Sequence, residues 1–348
     1  MKDRATIKDL AAKAGVSVGT VSNILNGKFN FADETRKRVW DAAEALSYSP
    51  NQEAKKLRAG GMTGRLKTNI IMHISHMGYE TPVNEALERL NLTLLSWEAQ
   101  KRGLFLMQYW YHTEQGFACP PILNGYIDGV IAGTPHEKVV EHVKSKLPVV
   151  LMDVPFPPET LAVPMVNQNC RKGILEMMRI LKNYGHTDIG VCYSTSPIES
   201  QRYGAVVEAA ARSGVHVHQD FHTAMEIDPE THDKVIREFA AFAMAHVRRK
   251  EITALVCLND YYTLCLYDIF KDKGLRIPGD LSLTGYGRSA PDIPASPVSA
   301  VIYDWPGMVR SAVSLLKDLI DGTTAPQSTE LLVNPTFFHG ETIGKAIL

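Results

Sequence analysis

The chain has 348 residues, of which 45% are hydrophobic and 22% are charged, an ordinary globular composition in a length that favours a small module plus a larger, two-lobed one. The net charge of -1 hides an asymmetry, because residues 1–60 carry 11 Lys and Arg against 7 Asp and Glu, and the remainder carries 26 against 31. A basic head on an acidic body indicates that only the head meets a polyanion.

The first residues, Met1-Lys2-Asp3-Arg4, are charged and lead directly into a polar helical pattern. We therefore expect no secretion signal and a cytoplasmic, nucleoid-associated protein. No apolar run approaches the roughly 18 residues that span a bilayer, which argues against membrane insertion. The five cysteines are dispersed and form no CxxC pair, so we expect neither a disulfide framework nor a zinc site.

Three short helical patterns follow within residues 5–47. Between the first two stands Ala14-Gly15-Val16-Ser17, in which Gly15 suits the left-handed end of one helix and Ser17 the start of the next. This spacing predicts a helix-turn-helix. The apolar positions that define the three patterns are Ile7, Leu10 and Ala11, then Val18, Val21 and Leu25, then Val39, Ala42, Ala43 and Leu46.

The second helix of such a unit lies in the major groove and presents its outward side chains to base edges. Short hydroxyls such as those of Thr20 and Ser22 suit phosphate oxygens, and Asn23 is able to form a bidentate pair with adenine. The alternative is that Asn23 is simply a solvated helix residue. With Val21 and Leu25 directed inward, the outward residues are Gly19, Thr20, Ser22, Asn23 and Asn26.

Tyr48-Ser49-Pro50-Asn51 ends the third helix, because proline cannot continue the helical ladder. A short helix-capable stretch follows from Gln52 to Arg58. Three glycines within residues 60–64 then form a flexible joint, at which we place the domain boundary.

From about Thr68 onward, strand-like runs alternate with amphipathic helical runs. This alternation predicts an α/β body of two doubly wound parallel lobes behind the small all-α head. The expected strands are 69–74, 104–109, 128–131, 149–152, 188–192, 254–257 and 281–284, and the expected helices include 83–102, 137–146, 171–183, 200–213, 230–249 and 261–273.

Several of these stretches carry a family resemblance. Thr6-Ile7-Lys8-Asp9-Leu10-Ala11, Ala14-Gly15-Val16-Ser17-Val18 and Thr20-Val21-Ser22, extended by Glu34-Thr35-Arg36 and Tyr48-Ser49-Pro50-Asn51, closely resemble the head of the lactose-repressor (LacI) family. The resemblance implies a homodimeric transcription regulator, most simply a repressor, that binds double-stranded operator DNA. It assigns DNA contacts to Thr6, Ser17, Val18, Gly19, Thr20, Ser22, Asn23, Asn26, Tyr48, Asn51, Ala54 and Leu57.

Two of these positions carry particular implications. In most relatives the position of Asn23 holds arginine, a guanine reader, so the resemblance implies an operator that departs from the usual one, toward adenine at that position. The stretch from Pro50 to Arg58 is similar to the family's hinge helix, whose leucine, here Leu57, wedges into the minor groove at the operator centre. The alternative is that Leu57 makes an ordinary contact between hinge and body.

The body resembles the family's periplasmic-binding-protein-like core, with a ligand at the carboxyl ends of the strands. Matching stretches include Leu147 to Asp153, Leu258-Asn259-Asp260 and Gly274 to Ser282. A guanidinium beside aromatic rings suits a polyhydroxylated ring, so we expect a sugar or sugar derivative as effector. The effector residues that the resemblance implies, or that stand in place of the family's ligands, are Ser75, Tyr79, Asp153, Arg202, Asn259, Arg288, Tyr303 and Trp305.

Alternatives and departures accompany this assignment. Arg202 could pair with a surface carboxylate, Asp153 could cap a turn, and Trp305 could be plain core. Gly287-Arg288 stands where relatives often have an Asp pair, which makes an anionic ligand conceivable, and Tyr79 belongs to a segment, Ser75 to Tyr79, that replaces a usual Asn-Pro-Phe-Phe. The identity of the effector is therefore not inherited from the family.

Two other classes of protein are weighed against this interpretation. A solute-binding receptor would fit the body but has no use for the head, and an enzyme would need one of the nucleotide, hydrolase or metal motifs that we do not find. We expect no catalysis, no cofactor and no metal, and interpret His73, His76, His216, His218 and His222 as scattered strand or surface histidines. The predicted limits are 1–49 for the head, 50–66 for the hinge and 67–348 for the body, with one lobe at about 67–165 and 303–326 and the other at about 166–302 and 327–348.

Overall fold

The computed structural model describes residues 6–25, 31–46, 48, 67–76, 82–111, 126–133, 137–154, 162–226, 231–287, 297–323 and 329–347. The chain divides into two compact units, Met1–Thr68 and Asn69–Leu348. Among the described residues no helix combines the length and apolar content needed to cross a bilayer.

The first unit is a head of three helices, α1 (Ile7–Ala14), α2 (Val18–Leu25) and α3 (Asp33–Ala45). Local chemistry sets their ends. The hydroxyl of Thr6 accepts from the Asp9 amide at 3.3 Å, and the Asp9 carboxylate accepts from the Thr6 amide at 2.8 Å, a capping box that begins α1. Gly15 ends α1 with φ at 64°, and the Ser17 hydroxyl accepts from the Thr20 amide at 3.0 Å at the start of α2. Both cap predictions are confirmed.

The core of the head differs from the predicted one in the face that α2 buries. Val21 and Ile24 are buried, Leu25 is only partly so, and Val18 is 41% exposed. A helix turns by about 100° per residue, which places Val18 about 90° from the midpoint between Val21 and Ile24. Placing Val18 with Val21 on the inward stripe was therefore wrong, whereas Leu25 packs against the core as predicted. The buried residues of this core are Leu10, Ala11, Ala14, Val21, Ile24, Val39, Ala42 and Ala43.

The second unit contains two six-stranded sheets and the helices that connect their strands. Its helices are α4 (Pro82–Lys101), α5 (Glu137–Lys144), α6 (Cys170–Asn183), α7 (Pro197–Ser213), α8 (His232–Arg248), α9 (Asp260–Asp272) and α10 (Trp305–Asp321). Its strands are β1 (Ile70–His76), β2 (Phe105–Tyr111), β3 (Gly129–Gly133), β4 (Val149–Met152), β5 (Met165–Gln168), β6 (Asp188–Cys192), β7 (His216–Val217), β8 (Ala254–Cys257), β9 (Ser282–Tyr286), β10 (Ser299–Ile302), β11 (Glu330–Val333) and β12 (Thr336–Phe338).

The sheets confirm the predicted α/β class with two parallel-dominated layers. The first has the order β11-β5-β4-β3-β1-β2 and is parallel throughout, and the second has the order β12-β10-β9-β8-β6-β7 with only β12 antiparallel. The order of each sheet changes direction beside its first strand in the chain, as in doubly wound folds.

The limits predicted for the two lobes need correction. β5 pairs within the first sheet as far as Gln168, so that lobe does not end at 165, and β11 pairs with β5 in parallel, from Glu330↔Met165 to Val333↔Gln168. The segment 327–348 was assigned whole to the second lobe. It instead supplies one strand to each sheet, because only two residues separate β11 from β12, which joins the second sheet.

Two glycines of the head provide a matched test of these local rules. Gly15→Ala places a side chain on a left-handed residue with no neighbour within 4 Å of the new Cβ, so we expect the head to lose about 1–2 kcal/mol for conformational reasons alone. Gly19→Ala lies in the first turn of α2 with only the Ser17 hydroxyl at 3.7 Å, and should gain up to about 0.5 kcal/mol.

The measurement is amide hydrogen exchange across residues 7–25 of the full chain. Exchange should become faster in Gly15→Ala and slower in Gly19→Ala. A change in the same direction for both variants would show that backbone conformation at Gly15 does not control the stability of the head.

Candidate DNA-reading helix and effector cavity

The outward face of α2 presents the residues that were predicted to read DNA. Ser17, Val18 and Gly19 are exposed, and Ser22 and Asn23 are partly exposed on the flanks of the face opposite the buried stripe. The hydroxyls of Ser17 and Thr20 lie 2.9 Å apart, so each has a partner before any phosphate is bound. The helix therefore offers a shallow surface of small polar side chains.

The remaining predicted contacts of the head divide into two groups. Thr6 is exposed and caps α1, and Tyr48 is partly buried against the core of the head, with its amide donating to the Ala43 carbonyl at 2.8 Å. These two residues are therefore structural in the isolated head. The other group, Asn26, Asn51, Ala54 and Leu57, lies outside the residues that the structure describes.

In the second unit, a cavity of about 550 Å³ opens among the carboxyl ends of β4 and β5, the first turns of α7 and the strand β11. Three of the residues predicted to bind an effector line it, namely Asp153, Arg202 and Tyr303. Most of the residues that line it carry polar or charged side chains. The full lining is Asp153, Val154, Asn167, Gln168, Asn169, Cys170, Arg171, Ile198, Ser200, Gln201, Arg202, Gly204, Ala205, Glu208, Tyr303, Glu330 and Leu332.

Arg202 is the central charge of this cavity and is only 6% exposed. Its Nη1 donates to the Leu258 carbonyl at 2.7 Å, and its Nη2 donates to the Tyr303 hydroxyl. The guanidinium carbon lies 4.8 Å from the centre of the Tyr286 ring and 5.3 Å from that of Tyr303, within the range of cation–π attraction. The alternative that Arg202 pairs with a surface carboxylate is therefore wrong.

Not every polar atom around Arg202 is satisfied. Within the described part of the chain, the buried Nε of Arg202 and the buried Oε1 of Gln168 have no hydrogen-bond partner. A buried polar group without a partner is costly and uncommon in native proteins. The surroundings of Arg202 therefore leave one donor and one acceptor unsatisfied.

Asp153 faces this cation from the end of β4. It adopts a left-handed backbone conformation, with φ at 57°, and its amide donates to the Val166 carbonyl at 3.0 Å. Burial raises the pKa of the Asp153 carboxyl, and the charge of Arg202 partly opposes that shift. The site therefore holds a carboxylate that is expensive to ionise beside a permanent cation.

A second polar contact fixes the wall behind Asp153. The Asn167 side chain accepts from the Val154 amide at 2.9 Å and donates to the Val154 carbonyl at 3.0 Å, and it also donates to the Glu330 carboxylate at 2.8 Å. One carboxamide thereby ties the residues after β4 to β5 and β11. The wall is held in place before any ligand arrives.

The other effector residues predicted from sequence do not line the cavity. The Asn259 side chain caps α9 by accepting from the Tyr261 amide at 2.8 Å and donates to Glu199 at 3.2 Å. Ser75 is buried and donates to Glu88 at 2.6 Å. Trp305 is buried beside the Tyr303 ring, as the core alternative expects. Tyr79 and Arg288 lie outside the described residues.

Several lining residues were not identified from sequence. Asn167, Gln168 and Asn169 end a strand that was not predicted, and this polar run after an apolar one is the signal that was available. Glu208 and Glu330 carried no local signal, since α7 and β11 bring them to the cavity through tertiary packing. Burial also raises the pKa of the Cys170 thiol, so this lining residue is not an activated nucleophile.

Comparisons with known proteins agree with this two-part organisation. Residues 6–51 match the family of bacterial regulatory proteins of the lacI type, and residues 178–343 match a periplasmic binding protein-like domain. Among curated proteins, the HTH-type transcriptional repressor PurR of Mannheimia succiniciproducens is 28% identical over 293 residues, and that of Photobacterium profundum 27% identical over 304, each alignment covering 81% of both chains.

Solved structures share the fold. The lac repressor dimer bound to operator and the anti-inducer ONPF superposes with a TM-score of 0.69 at 19% identity, covering 98% of this chain and 99% of that one. The complex of the transcriptional regulator CelR with cellobiose gives 0.63 at 20% identity, covering 97% and 100%.

A helix-turn-helix head joined in one chain to a two-lobed, cavity-bearing body defines a DNA-binding transcription regulator with an effector-binding domain. The chain thus combines a head of the lacI type of bacterial regulatory proteins with a periplasmic binding protein-like domain.

Asp153 yields a prediction about pH. Because burial raises its pKa, its ionised form opposes folding at neutral pH, and this penalty disappears as the pH falls toward the ordinary value of 3.8. Asn tolerates the left-handed conformation and carries no charge. Asp153→Asn should therefore unfold at a higher temperature than the wild type at pH 7.5, with the difference shrinking toward pH 5.

Thermal unfolding in the absence of ligand measures this difference, and Asp268→Asn, an exposed carboxylate on α9, controls for the loss of one charge. A lower unfolding temperature for Asp153→Asn at pH 7.5 would mean that pairing with Arg202 outweighs the cost of burial.

Proposed function

We propose that this regulator represses transcription as a homodimer that binds operator DNA through α2, and that a small polyhydroxylated effector in the cavity controls this binding. The observation that carries the proposal is the cavity itself, because it surrounds a buried guanidinium with ligand-type groups while the same chain carries an exposed helix of the DNA-reading type. The curated relatives are named repressors, and the lac repressor structure is a dimer on operator, which supports both points.

The surface of α2 supports base reading by few side chains. Gly19 has no side chain and lies opposite the buried stripe, so it permits close approach of the backbone to the groove. Asn23, on the flank, carries a carboxamide whose donor and acceptor lie side by side, the bidentate pair that adenine requires. Ser22 and Thr20 offer hydroxyls to phosphates, which set register but carry no sequence information.

The chemistry of the cavity favours a neutral carbohydrate over a strongly anionic ligand. The carboxylates of Asp153, Glu208 and Glu330 face the guanidinium groups of Arg171 and Arg202, and Arg171 already lies 3.5 Å from Glu208. Hydroxyl groups donate to carboxylates and accept from guanidinium, so a polyol uses both kinds of wall. The ring of Tyr303 adds a surface for C–H groups. The cellobiose complex of CelR, which shares the fold, is consistent with this ligand class.

The position of the cavity suggests how a ligand acts. Asp153 follows β4 and Glu330 begins β11, both in the first sheet. Arg202 lies on α7, the helix that follows β6 of the second sheet. A ligand that bridges these groups favours the arrangement of lobes in which all of them reach it. Control of DNA binding then equals the difference in effector affinity between the operator-bound and free states.

Catalysis is the second class of function, and the site speaks against it. Burial raises the pKa of the Cys170 thiol, so this thiol is not activated as a nucleophile. Arg202 and Tyr303 are already engaged in contacts within the protein. We therefore infer a cytoplasmic regulator that catalyses no reaction. A solute receptor is the other alternative, and it would not explain the presence of the helix-turn-helix head.

The first prediction concerns specificity. Asn23→Ala should relax the base preference at one position of each half-site and leave the other positions unchanged, because only that side chain reads that base. Selection of bound duplexes from a random pool, followed by sequencing, measures this preference. The matched control is Ser22→Ala on the same helix, which should weaken all duplexes alike. An unaltered preference in Asn23→Ala would remove Asn23 from the reading surface.

The second prediction concerns the effector. Arg202→Ala should keep operator affinity within about threefold of the wild type and lose its response to ligand, because the missing guanidinium held the ligand but not the DNA. Operator release is followed by fluorescence anisotropy against a panel of mono- and disaccharides and sugar phosphates. Arg179→Ala, an exposed guanidinium paired with Glu176 on α6, is the control and should respond normally. Release of Arg202→Ala by the sugar that releases the wild type would contradict the assigned role.

A further inference from the structure

The second lobe carries a group of metal-ligating side chains that is separate from the effector cavity. Among the residues that the structure describes, a ring nitrogen of His218, a carboxylate oxygen of Asp220 and a ring nitrogen of His246 all lie within 4.8 Å of one another. His218 and Asp220 flank the start of the single 3-10 turn Gln219–Phe221 after β7, and His246 lies in the last turn of α8. Tertiary packing unites them across 28 residues of sequence.

The group lies away from the cavity. β7 pairs with the first two residues of β6, Asp188 and Ile189, so His218 stands near the amino ends of the strands. The cavity and Leu258 lie at their carboxyl ends. We propose that His218, Asp220 and His246 form a site for a divalent transition metal, with zinc as the best match.

The His246 ring is held in one orientation by its buried surroundings. Its ring is 2% exposed and lies among the rings of Phe221, Phe242 and His218, at centroid distances of 5.1, 4.5 and 5.0 Å. Its Nδ1 lies 2.6 Å from the Glu251 carboxylate. That carboxylate oxygen has no aligned hydrogen-bond partner among the described residues, so it favours a proton on Nδ1 through its charge, and a proton there leaves a lone pair on Nε2, the outer arrangement of many metal-binding histidines.

The other ring nitrogen of His246 faces the Asp220 carboxylate. Nε2 of His246 lies 3.7 Å from the Asp220 carboxylate, so two acceptors face each other without a proton between them in the neutral form. Such a pair attracts a cation. The ring of His218 completes the set. Its Nδ1 accepts a long contact of 3.4 Å from the Asp220 amide as the cap of the 3-10 turn, so a metal replaces this weak cap or binds the other ring nitrogen.

Arg249 is the competing cation. Its Nη2 lies 2.8 Å from Glu251 and 3.2 and 3.3 Å from the two ring nitrogens of His246. Both distances are within hydrogen-bonding range, so Arg249 competes directly with a metal for the ring nitrogens of His246. Its side chain is 53% exposed, so it is free to turn toward solvent when a metal enters.

The ligand set selects the metal. Two imidazoles and one carboxylate are borderline donors that suit zinc and its neighbours, whereas calcium and magnesium prefer oxygen alone. Zinc binds histidine nitrogen at about 2.0–2.1 Å in a tetrahedron, which sets its ligands about 3.3 Å apart. The three groups therefore need to close by roughly an ångström, with solvent in the fourth position.

The test uses the full-length protein and zinc chloride, with calorimetry for affinity and cobalt chloride for the visible spectrum of a four-coordinate site. We expect one zinc per chain and a higher unfolding temperature on zinc addition. Asp220→Asn and His218→Gln, both at positions that are not deeply buried, should weaken binding at least tenfold. Glu251→Gln should weaken it about 10–100-fold through the orientation of His246. Arg249→Gln should tighten it by removing the competing charge.

His216→Gln is the matched control, because His216 lies two residues from His218 but pairs with Asp188 at 3.3 Å. It should bind zinc like the wild type. Absence of saturable zinc binding in the wild type, or equal affinity in Asp220→Asn and His218→Gln, would overturn the proposal. A loss in His216→Gln as large as in those two variants would also overturn it, because the zinc would then be held by the surface histidines as a group.

Discussion

The wall of the cavity is organised around one buried guanidinium that has to be hydrogen-bonded. An unpaired buried charge would cost several kcal/mol, so the groups that surround Arg202 are those that satisfy it. Leu258 supplies a carbonyl from the end of β8, Tyr303 a hydroxyl from the segment before α10, and Tyr286 a ring face from the end of β9. With Asp153 opposite, the requirements of a single side chain bring the carboxyl ends of both sheets to one cavity.

The shape of the head depends mainly on local contacts, because its hydrophobic core is small. Its eight buried residues include four alanines, and its shape comes from local caps. Thr6 and Asp9 begin α1, Gly15 ends it, and Ser17 begins α2. Each of these is a contact within about four residues. Such a unit keeps its reading surface constant whatever happens in the body, which suits a module that binds a rigid duplex.

The same contrast explains how much could be predicted from sequence. Helix ends in the head followed from residue type, since a hydroxyl cap and a left-handed glycine are visible in the chain itself. β5, β7, β10, β11 and β12 were missed because these short strands lack the run of four apolar residues that revealed β4 and β8. Glu330 reached the cavity only through the pairing of β11 with β5. Arg202, Asp153 and Tyr303 were found by resemblance. Asn259 and Ser75 were also found in that way, but Asn259 caps α9 and Ser75 donates a hydrogen bond to Glu88.

Discrimination among DNA sequences by the head can be measured by competitive binding of a duplex selected from a random pool. The measured quantity is the ratio of dissociation constants for a shuffled duplex of equal composition and for the selected duplex, at 150 mM salt. We expect a ratio of about a thousand or more in favour of the selected duplex, with two similar half-sites related by a two-fold axis. Equal affinity for the two duplexes would show that the head does not read sequence.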